Sequence, residues 1–552
     1  MDIKAFAAEL KERKIIRFSL LYLLVGWGII QAAATIFPAL NIPPWALSLV
    51  IVLVALGFPI GLMLSWSFDI TSRGVTRSPP ARSTRQPRSV ARDPADRPKS
   101  IAVLPFVNMS GDEENEYFSD GMTEEILNAL VKVPGLQVAS RTSSFAFKGK
   151  EIDIREVGER LAAASVLEGS VRKAGTRLRI TAQLVDVDTG FHLWSEVYDR
   201  ELADVFAIQD EIARAIVDAL KLQFADASPE GSLVTAATAN VDAYTKYLKG
   251  RFFFNKLSEV DLRRSLELYQ SALDVDPNYA HAYAGIADSW MNLADDWVSP
   301  HDAYPKARTA ARRALELNSE LAEAHTALGK VLGWYDWDFN AAELALRRAV
   351  AANPKYADAH WGLGSVLPAN GRLEEGLSAM QEALALDPLS ALFSGWVARM
   401  LVYLRRYDEA IAQCHHAGEL DVHYPRVYLW LGHAYMGKKQ YEKALAAYQK
   451  SVHGIGYHNT FVAQPLVKLG RRDEAAKMLQ EIEHDAERLY IRNEALAAGL
   501  AAVGEMDKAF MYLGRAVNAR SAGMIYLNVD PVYDALRADP RFAGVVAQVG
   551  LR

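Results

Sequence analysis

The chain has 552 residues, with 61 Lys plus Arg against 67 Asp plus Glu and a formal net charge of -6, so it has length for roughly three or four domains of about 150 residues and no general basic excess for nucleic acid. Its single cysteine, Cys414, excludes an intramolecular disulfide and a paired-cysteine metal knuckle. The charge is uneven, because residues 69–99 hold seven Arg and one Lys against three Asp.

Residues 1–17 form a basic flank with Lys4, Lys11, Arg13, Lys14 and Arg17. Residues 18–68 then run for 51 positions without Asp, Glu, Lys or Arg. Two apolar runs inside this stretch, 18–37 and 45–68, are each long enough to cross a hydrocarbon core of about 30 Å as a helix. Between them, residues 38–44 are uncharged and Pro-rich, which suits a tight turn. The first run lacks a small-x-small cleavage site followed by a polar mature start and leads straight into the second, unlike a cleaved signal peptide. Five basic residues precede the hairpin, eight follow it and none lies in its turn, so the positive-inside rule places both termini and the soluble domains in the cytoplasm. Residues 69–99, rich in Arg, Pro and Ser and poor in large apolar residues, are expected to be a disordered linker. Its arginines suit anionic lipid headgroups, and with no aromatic residue for base stacking, nucleic acid is not an expected partner.

Residues 100–224 alternate strand and helix signals. A strand is expected over 101–107, a helix over 122–133 with Ser119 or Asp120 as its cap, and a strand over 136–140, which together make a parallel βαβ unit. A helix over 154–164 leads into strands 166–172, 177–187 and 192–198, joined by the turns 173–176 and 188–190. Leu178, Ile180, Ala182 and Leu184 alternate with polar residues in the middle strand, giving one buried face. A helix over 204–224 carries the stripe Val205, Ile208, Ile212, Ile216 and Leu220.

The stretches SIAVLPFVNMSGDEENEYFSDGMTEEILNAL, VASRTSSFAFKGK, VLEGSVRKAG, RITAQLVDVDTGFHLWSEVYDR and FAIQDEIARAIVDAL resemble the TolB amino-terminal-like (FlgO-like) domain of bacterial proteins over about 99–224. The resemblance implies a bacterial inner-membrane setting and a signalling neighbourhood, because such domains precede tetratricopeptide repeats and follow a membrane segment, a winged helix or a class III adenylate cyclase domain. It implies no catalytic activity for the domain itself. In this chain the apolar hairpin stands where relatives carry the cyclase or winged-helix domain, so a cyclase activity is not expected.

After a polar connector, 225–240, residues 241–552 read as seven to eight helix pairs, the last two degenerate. Ala342, Gly376, Ala410 and Ala444 recur every 34 residues, as do Ala475 and Ala509, and small residues at that spacing resemble the tetratricopeptide repeat. The expected fold is therefore multidomain: two transmembrane helices, one α/β domain, and an all-α superhelix.

No catalytic set appears, with no nucleophile elbow, zinc-binding His pair or dinucleotide glycine fingerprint. Gly432 to Lys439 nearly matches a phosphate-binding loop, but Lys439 stands where a hydroxyl would hold magnesium. Cys414, His415 and His416 are adjacent on a helix and point apart, so no metal site and no cofactor is expected. The repeats place Lys330, Trp334, Trp361, Arg399, Tyr403, Arg426 and His433 along a concave partner-binding groove. In the α/β domain, Asn108, Ser119, Asp120, Arg141 and Ser143 lie where a small ligand would sit, beyond the carboxyl end of the first parallel strand. The leading expectation is a membrane-anchored scaffold or signalling adaptor that binds other proteins and leaves homo-oligomerisation open. The alternatives are a small-molecule or nucleotide sensor relaying to the repeats, and a cell-envelope assembly protein.

Overall fold

The computed structural model describes residues 99–112, 115–221, 237–294, 296–421, 424–451, 460–485 and 491–552, with scattered positions between 26 and 77. The chain divides into two units, Met1–Arg92 and Asp93–Arg552.

In the first unit, the described positions from 26 to 37 and from 45 to 54 are mostly helical. A Cβ at Gly26 would lie 2.9 Å from Val54 Cγ1, so the two apolar runs touch at a glycine. Trp27, Trp45, Leu49 and Val52 are exposed. Among the described residues no helix is long and apolar enough to cross a membrane. The basic flank 1–17, most of both apolar runs and residues 78–98 lie outside the described residues. One expectation is corrected here, since the end of the second run and the start of the supposed linker form a hairpin. Strand β1 (Phe68–Thr71) pairs antiparallel with β2 (Gly74–Arg77), Phe68 opposite Arg77 and Thr71 opposite Gly74. Ile70, Thr71, Val75 and Thr76 are β-branched and favour the extended backbone.

The second unit opens with a six-stranded sheet of order β5-β3-β6-β7-β8, in which β4 also pairs β6. The strands are β3 (Ser100–Val103), β4 (Val107–Asn108), β5 (Gln137–Val138), β6 (Ser165–Ala174), β7 (Arg177–Asp186) and β8 (His192–Glu201). β3 runs parallel to β5 and β6, as the βαβ reading requires, and β6, β7 and β8 form an antiparallel meander. Gly175 and Gly190, with φ of 59° and 73°, occupy the left-handed positions of its two turns. The first strand is shorter than expected because Pro105 has no N–H for the ladder; pairing resumes at β4, and Phe106 N instead donates to Thr123 Oγ1 at 2.9 Å.

Four helices accompany the sheet: α1 (Glu116–Val131), α2 (Arg141–Phe145), α3 (Ile154–Leu161) and α4 (Val205–Lys221). Met122, Ile126 and Leu130 of α1 and Ile208, Ile212 and Ile216 of α4 bury one face against Leu178, Ile180 and Leu184. Phe147, Val157 and Leu161 cover the other face at Ala102, Val166 and Val187. α1 begins at Glu116 with Asn115 as N-cap, so Ser119 and Asp120 lie inside it and cap nothing. Gly121 is tolerated mid-helix because a Cβ there would sit 2.7 Å from Leu248 Cδ1 of the first repeat. α3 stops at Leu161, where Ala162 turns left-handed with φ 51°, and α4 ends within its expected span. Most of the connector, 222–236, lies outside the described residues.

Eight helix pairs follow among the described residues: α5 (Val241–Phe254) with α6 (Glu259–Val275), α7 (Ala280–Leu293) with α8 (Pro300–Leu317), α9 (Ala322–Val331) with α10 (Phe339–Ala352), α11 (Ala357–Val366) with α12 (Leu373–Leu386), α13 (Ala391–Tyr403) with α14 (Tyr407–Leu420), α15 (Arg426–Gly437) with α16 (Tyr441–Lys450), the shortened α17 (Ala463–Lys468) with α18 (Arg472–Asp485), and α19 (Asn493–Ala502) with α20 (Met506–Ala519). The small residues at 34-residue spacing are the crossing points: Ala342, Ala410 and Ala444 are wholly buried on second helices. Gly250 and Gly285 close from both sides on Tyr269, each with room for no more than a hydrogen where its Cβ would be 2.6 Å from the ring. The eighth pair ends at Ala519, inside the span 241–552 given to the repeats. Residues 520–552 form short turns and two small helices, α21 (Asp534–Arg537) and α22 (Arg541–Val549), that fold back into the array.

The array also curls on itself. Asp296, in the loop after α7, pairs with Arg426 at the start of α15 and lies 3.4 Å from Arg492 beside α19. His301 of α8 meets the carbonyl oxygen of Asn518 at 2.7 Å.

Candidate functional site

First helices of the repeats carry a row of polar residues at matching places: Asp288, Lys330, Ser365, Arg399 and His433. Aromatic rings bridge the row, with Trp334 and Trp361 centroids 5.8 Å apart and Trp361 and Trp396 5.7 Å apart. Five of the residues expected in a groove, Lys330, Trp334, Trp361, Arg399 and Tyr403, thus share one surface, and Trp334 Nε1 donates to Ser365 Oγ at 3.2 Å.

The groove is largely filled from within. The turn Ala522–Tyr526 inserts Tyr526 beneath Arg399, whose guanidinium carbon is 3.9 Å from the Tyr526 ring, 4.4 Å from Trp396 and 4.6 Å from Trp430. Arg399 Nε donates to Tyr403 Oη at 2.5 Å, and Tyr526 Oη donates to the Ser365 carbonyl at 2.9 Å. Met524, Ile525 and Leu527 are buried beside it. Gly523 is required there, since a Cβ would fall 2.2 Å from Glu494 Oε1. Arg405 pairs with Asp534, Gln464 Nε2 donates to Val532 O, and Arg552 N donates to Ala369 O. His433 is buried against Tyr448 and Phe461, and burial pushes its pKa down to about 4, which keeps it neutral. Arg426 serves the Asp296 clamp. Arg399, Tyr403 and His433 therefore belong to an internal seam covered by the C-terminal residues, which no local pattern links to them, while the part-exposed Arg426 is held by Asp296.

The end of the row toward the N-terminus differs. Helix α1 lies across the early repeats, meeting α5 at Gly121 and the fourth pair at Lys355, whose Nζ donates to the carbonyls of Val131 (3.2 Å) and Leu136 (2.8 Å). Glu124 of α1 accepts from Arg141 Nε at 2.9 Å and pairs with Arg251 of α5. Beside this bridge the half-buried Glu125 shares electrostatic contact with Glu323, and Asp288 with Lys330, Asp358 and Glu323. Burial, with Glu124 adding to it, pushes Glu125 up to about 7; burial, eased by Lys330 and reinforced by Asp358, pushes Asp288 up to about 6. A carboxyl held above its ordinary 4.5 binds its proton more tightly folded than unfolded, so its contribution favours folding at low pH and fades as pH rises from 4.5 toward 7. Glu125→Gln should therefore flatten the fall in stability between acid and alkaline buffer by on the order of 1 kcal/mol, the half-exposed position keeping the effect small. Urea titrations on either side of neutrality check this; parallel pH profiles for both proteins would contradict it.

The five α/β candidates do not converge. Asn108 closes its own loop, donating to Asp112 O at 2.9 Å and accepting from Ser110 N at 3.0 Å. Ser119 is fully buried, and Asp120 pairs with Lys148 Nζ at 2.6 Å. Arg141 supports Glu124, while Ser143 Oγ donates to Asp387 Oδ1 at 2.6 Å and accepts from Leu389 N at 2.9 Å, tying the domain to the repeats. Sequence reasoning missed Glu125, Asp288, Glu323 and Asp358; Asp288 was legible only as the counterpart of Lys330 one repeat earlier.

The other chemical readings resolve into packing. Gly432 and Gly437 lie in α15, where a Cβ would meet Tyr448 at 2.3 Å and Tyr407 at 2.2 Å, so they serve helix contact and form no phosphate loop. Burial raises the Cys414 thiol to about 12, leaving it inert at neutral pH. Among the described residues no group of three or more His, Cys, Asp or Glu is placed to hold a metal ion.

The helix pairs define a tetratricopeptide-repeat array: residues 334–391, 369–415 and 425–452 match tetratricopeptide repeat families. The chain is similar to putative adenylate cyclase 3 of Rhizobium meliloti (strain 1021), 41% identical over 266 residues, which is 47% of this chain and 45% of that protein. It is also similar to the transcriptional regulator HilA of Salmonella typhimurium, 24% identical over 333 residues, 59% of this chain and 58% of the regulator. The chain thus spans about half the length of the curated relatives it matches. A solved tetratricopeptide repeat protein from Parabacteroides merdae aligns with a TM-score of 0.35 at 13% identity, covering 48% of this chain and 100% of its own.

Proposed function

We propose that the protein is a membrane-anchored scaffold or signalling adaptor that holds partner proteins on the inner face of its repeats. The observation that carries this reading is the row of aligned first-helix side chains, Asp288, Lys330, Ser365, Arg399 and His433, bridged by Trp334, Trp361 and Trp396. Tetratricopeptide repeats suit protein binding because stacked first helices present a continuous inner surface. The two relatives are named for different outputs, cyclase and transcriptional regulator, and an interaction module is a part that both could share. For the anchor, the support is the uncharged stretch 18–68, the exposed Trp27, Trp45, Leu49 and Val52, and the contact at Gly26. The basic flanks favour a cytoplasmic placement of the repeats. The TolB amino-terminal-like domain, on this reading, braces the early repeats and needs no chemistry of its own.

Photocrosslinkers at His281 and Glu323 in native membranes should capture discrete proteins that crosslinkers at Glu374 and Asp408, on exposed parts of second helices, do not. Equal capture from both faces, or a chain that carbonate strips from the membrane, would overturn the reading.

A further inference from the structure

The sheet of the α/β domain ends in an open edge. β8 lies last in the strand order, beside β7, and among the described residues no strand pairs with its other side. Leu202 N donates to Thr176 O at 2.6 Å, which continues the pairing of Arg200 with Leu178 and of Tyr198 with Ile180. Antiparallel pairs alternate between bonded and non-bonded, so the even-numbered residues of β8 turn their N–H and C=O toward β7. Ser195, Val197, Asp199 and Glu201 turn theirs outward. All four are exposed, Val197 at 49%. The ladder is regular from Ser195 to Glu201 and holds no proline there, so neither a bulge nor a missing donor blunts this stretch of edge. Arg200 Nη1 rests on the Asp199 carbonyl at 3.3 Å, a loose cover supplied by the strand itself.

The charges on the edge have an order. Glu196, Tyr198 and Arg200 fall on one face of β8, and the residues opposite them in β7 are Ala182, Ile180 and Leu178. Within the sheet, then, neither Glu196 nor Arg200 is set opposite a counter-charge. Asp199, on the other face, is already paired with Arg177 at 2.6 Å. Glu196 accepts from Tyr198 Oη at 3.1 Å, which leaves its carboxylate free to accept more. Glutamate and arginine thus stand two residues to either side of one tyrosine, with opposite sign. Such a strand is complementary to its own reverse. Paired antiparallel with an identical strand and centred on Tyr198, it sets Glu196 opposite Arg200 twice. Centring on Glu196 or on Asp199 would oppose like charges, and centring on Val197 would form no ion pair.

We propose that two copies of the chain join β8 to β8 about a two-fold axis at Tyr198, making one antiparallel sheet from two α/β domains. Val197 of each copy then meets Asp199 of the other, and Ser195 meets Glu201, as hydrogen-bonded pairs, while Arg200 leaves its own backbone for Glu196 of the second copy. The occupant of the edge is a second copy and not a foreign peptide, because the charge order answers itself. The interface is short, so the dimer dissociates at about 1–10 µM. The inference does not depend on the scaffold reading, but it places two repeat arrays in one particle, where a partner with two binding segments gains avidity.

Sedimentation equilibrium of the full chain in detergent micelles, between about 1 and 100 µM, should show monomer and dimer in exchange. Val197→Pro removes one outward N–H and leaves the β7–β8 ladder intact, so it should weaken the dimer about tenfold with an unchanged melting temperature. Glu196→Arg and Arg200→Glu should each weaken it about tenfold, and combining them should restore it, a recovery that misfolding would not produce. Glu196→Cys mixed with Arg200→Cys should yield a disulfide-linked dimer under mild oxidation, whereas either alone should not, and the buried Cys414 does not compete. A chain still monomeric at about 100 µM, a dimer indifferent to Val197→Pro, or charge variants that the combination does not rescue would each overturn the inference. Efficient crosslinking of Glu196→Cys alone would give the strands another register and overturn it too.

Discussion

Tyr526→Ala should destabilise the repeat array by about 4 kcal/mol, the range for deleting a large buried side chain that the surroundings cannot refill. Tyr526 is 4% exposed, with its ring 5.5 Å from Tyr403 and 6.4 Å from Trp396 and its hydroxyl on the Ser365 carbonyl. Its loss also strips Arg399 of its nearest ring, 3.9 Å away, and a buried guanidinium deprived of a cation–π contact loses about 1–2 kcal/mol. Tyr526→Phe keeps the ring and forfeits only the hydrogen bond, about 1 kcal/mol. Denaturant titration separates the two, and a loss below about 1 kcal/mol for the alanine variant would mean that the C-terminal segment does not close the groove.

Glu124→Ala should cost about 3–5 kcal/mol, because it leaves two guanidiniums in a partly dry seam with no counter-charge. Burial alone would raise this carboxyl, but Arg251 and Arg141 outweigh burial and hold it below its ordinary value. A carboxyl depressed in this way contributes stability above its unfolded pKa and loses it as pH falls through the folded one, so the penalty of the variant should shrink in acid. Because Arg251 belongs to the first repeat and Arg141 to the α/β domain, the variant should also loosen their junction, seen as faster proteolysis near the connector. An unchanged cleavage rate with unchanged stability would show that the bridge is dispensable.

What was legible in the sequence follows from how local each cause is. Small residues every 34 positions mark helix crossings, and Ala342, Ala410 and Ala444 are buried crossing points. Alternation in β7 was equally readable, because a strand with one covered face writes that face into its own residues. The start of α1 was not. Gly121 looks like a helix boundary until Leu248, in another domain, is seen filling the place of its Cβ. Nothing near Arg399 or His433 in the sequence tells that Tyr526 or Asp530 will cover them. In the α/β domain, position at a strand end suggested a ligand site, but Ser143 and Arg141 are spent on Asp387 and Glu124.

The Asp296 clamp alters the mechanics of the whole array. A stack of helix pairs joined only to its neighbours stretches like a coil spring, each joint yielding a little. Asp296 adds a strut from the second pair to the sixth and to the residues entering the eighth, and His301 adds another to the end of α20. A spring with such cross-ties behaves as a hoop, in which widening one arc must be answered somewhere else on the circumference. A force that parts the early repeats would therefore load the joints around the C-terminal segment, and strain applied there would be felt in the early repeats.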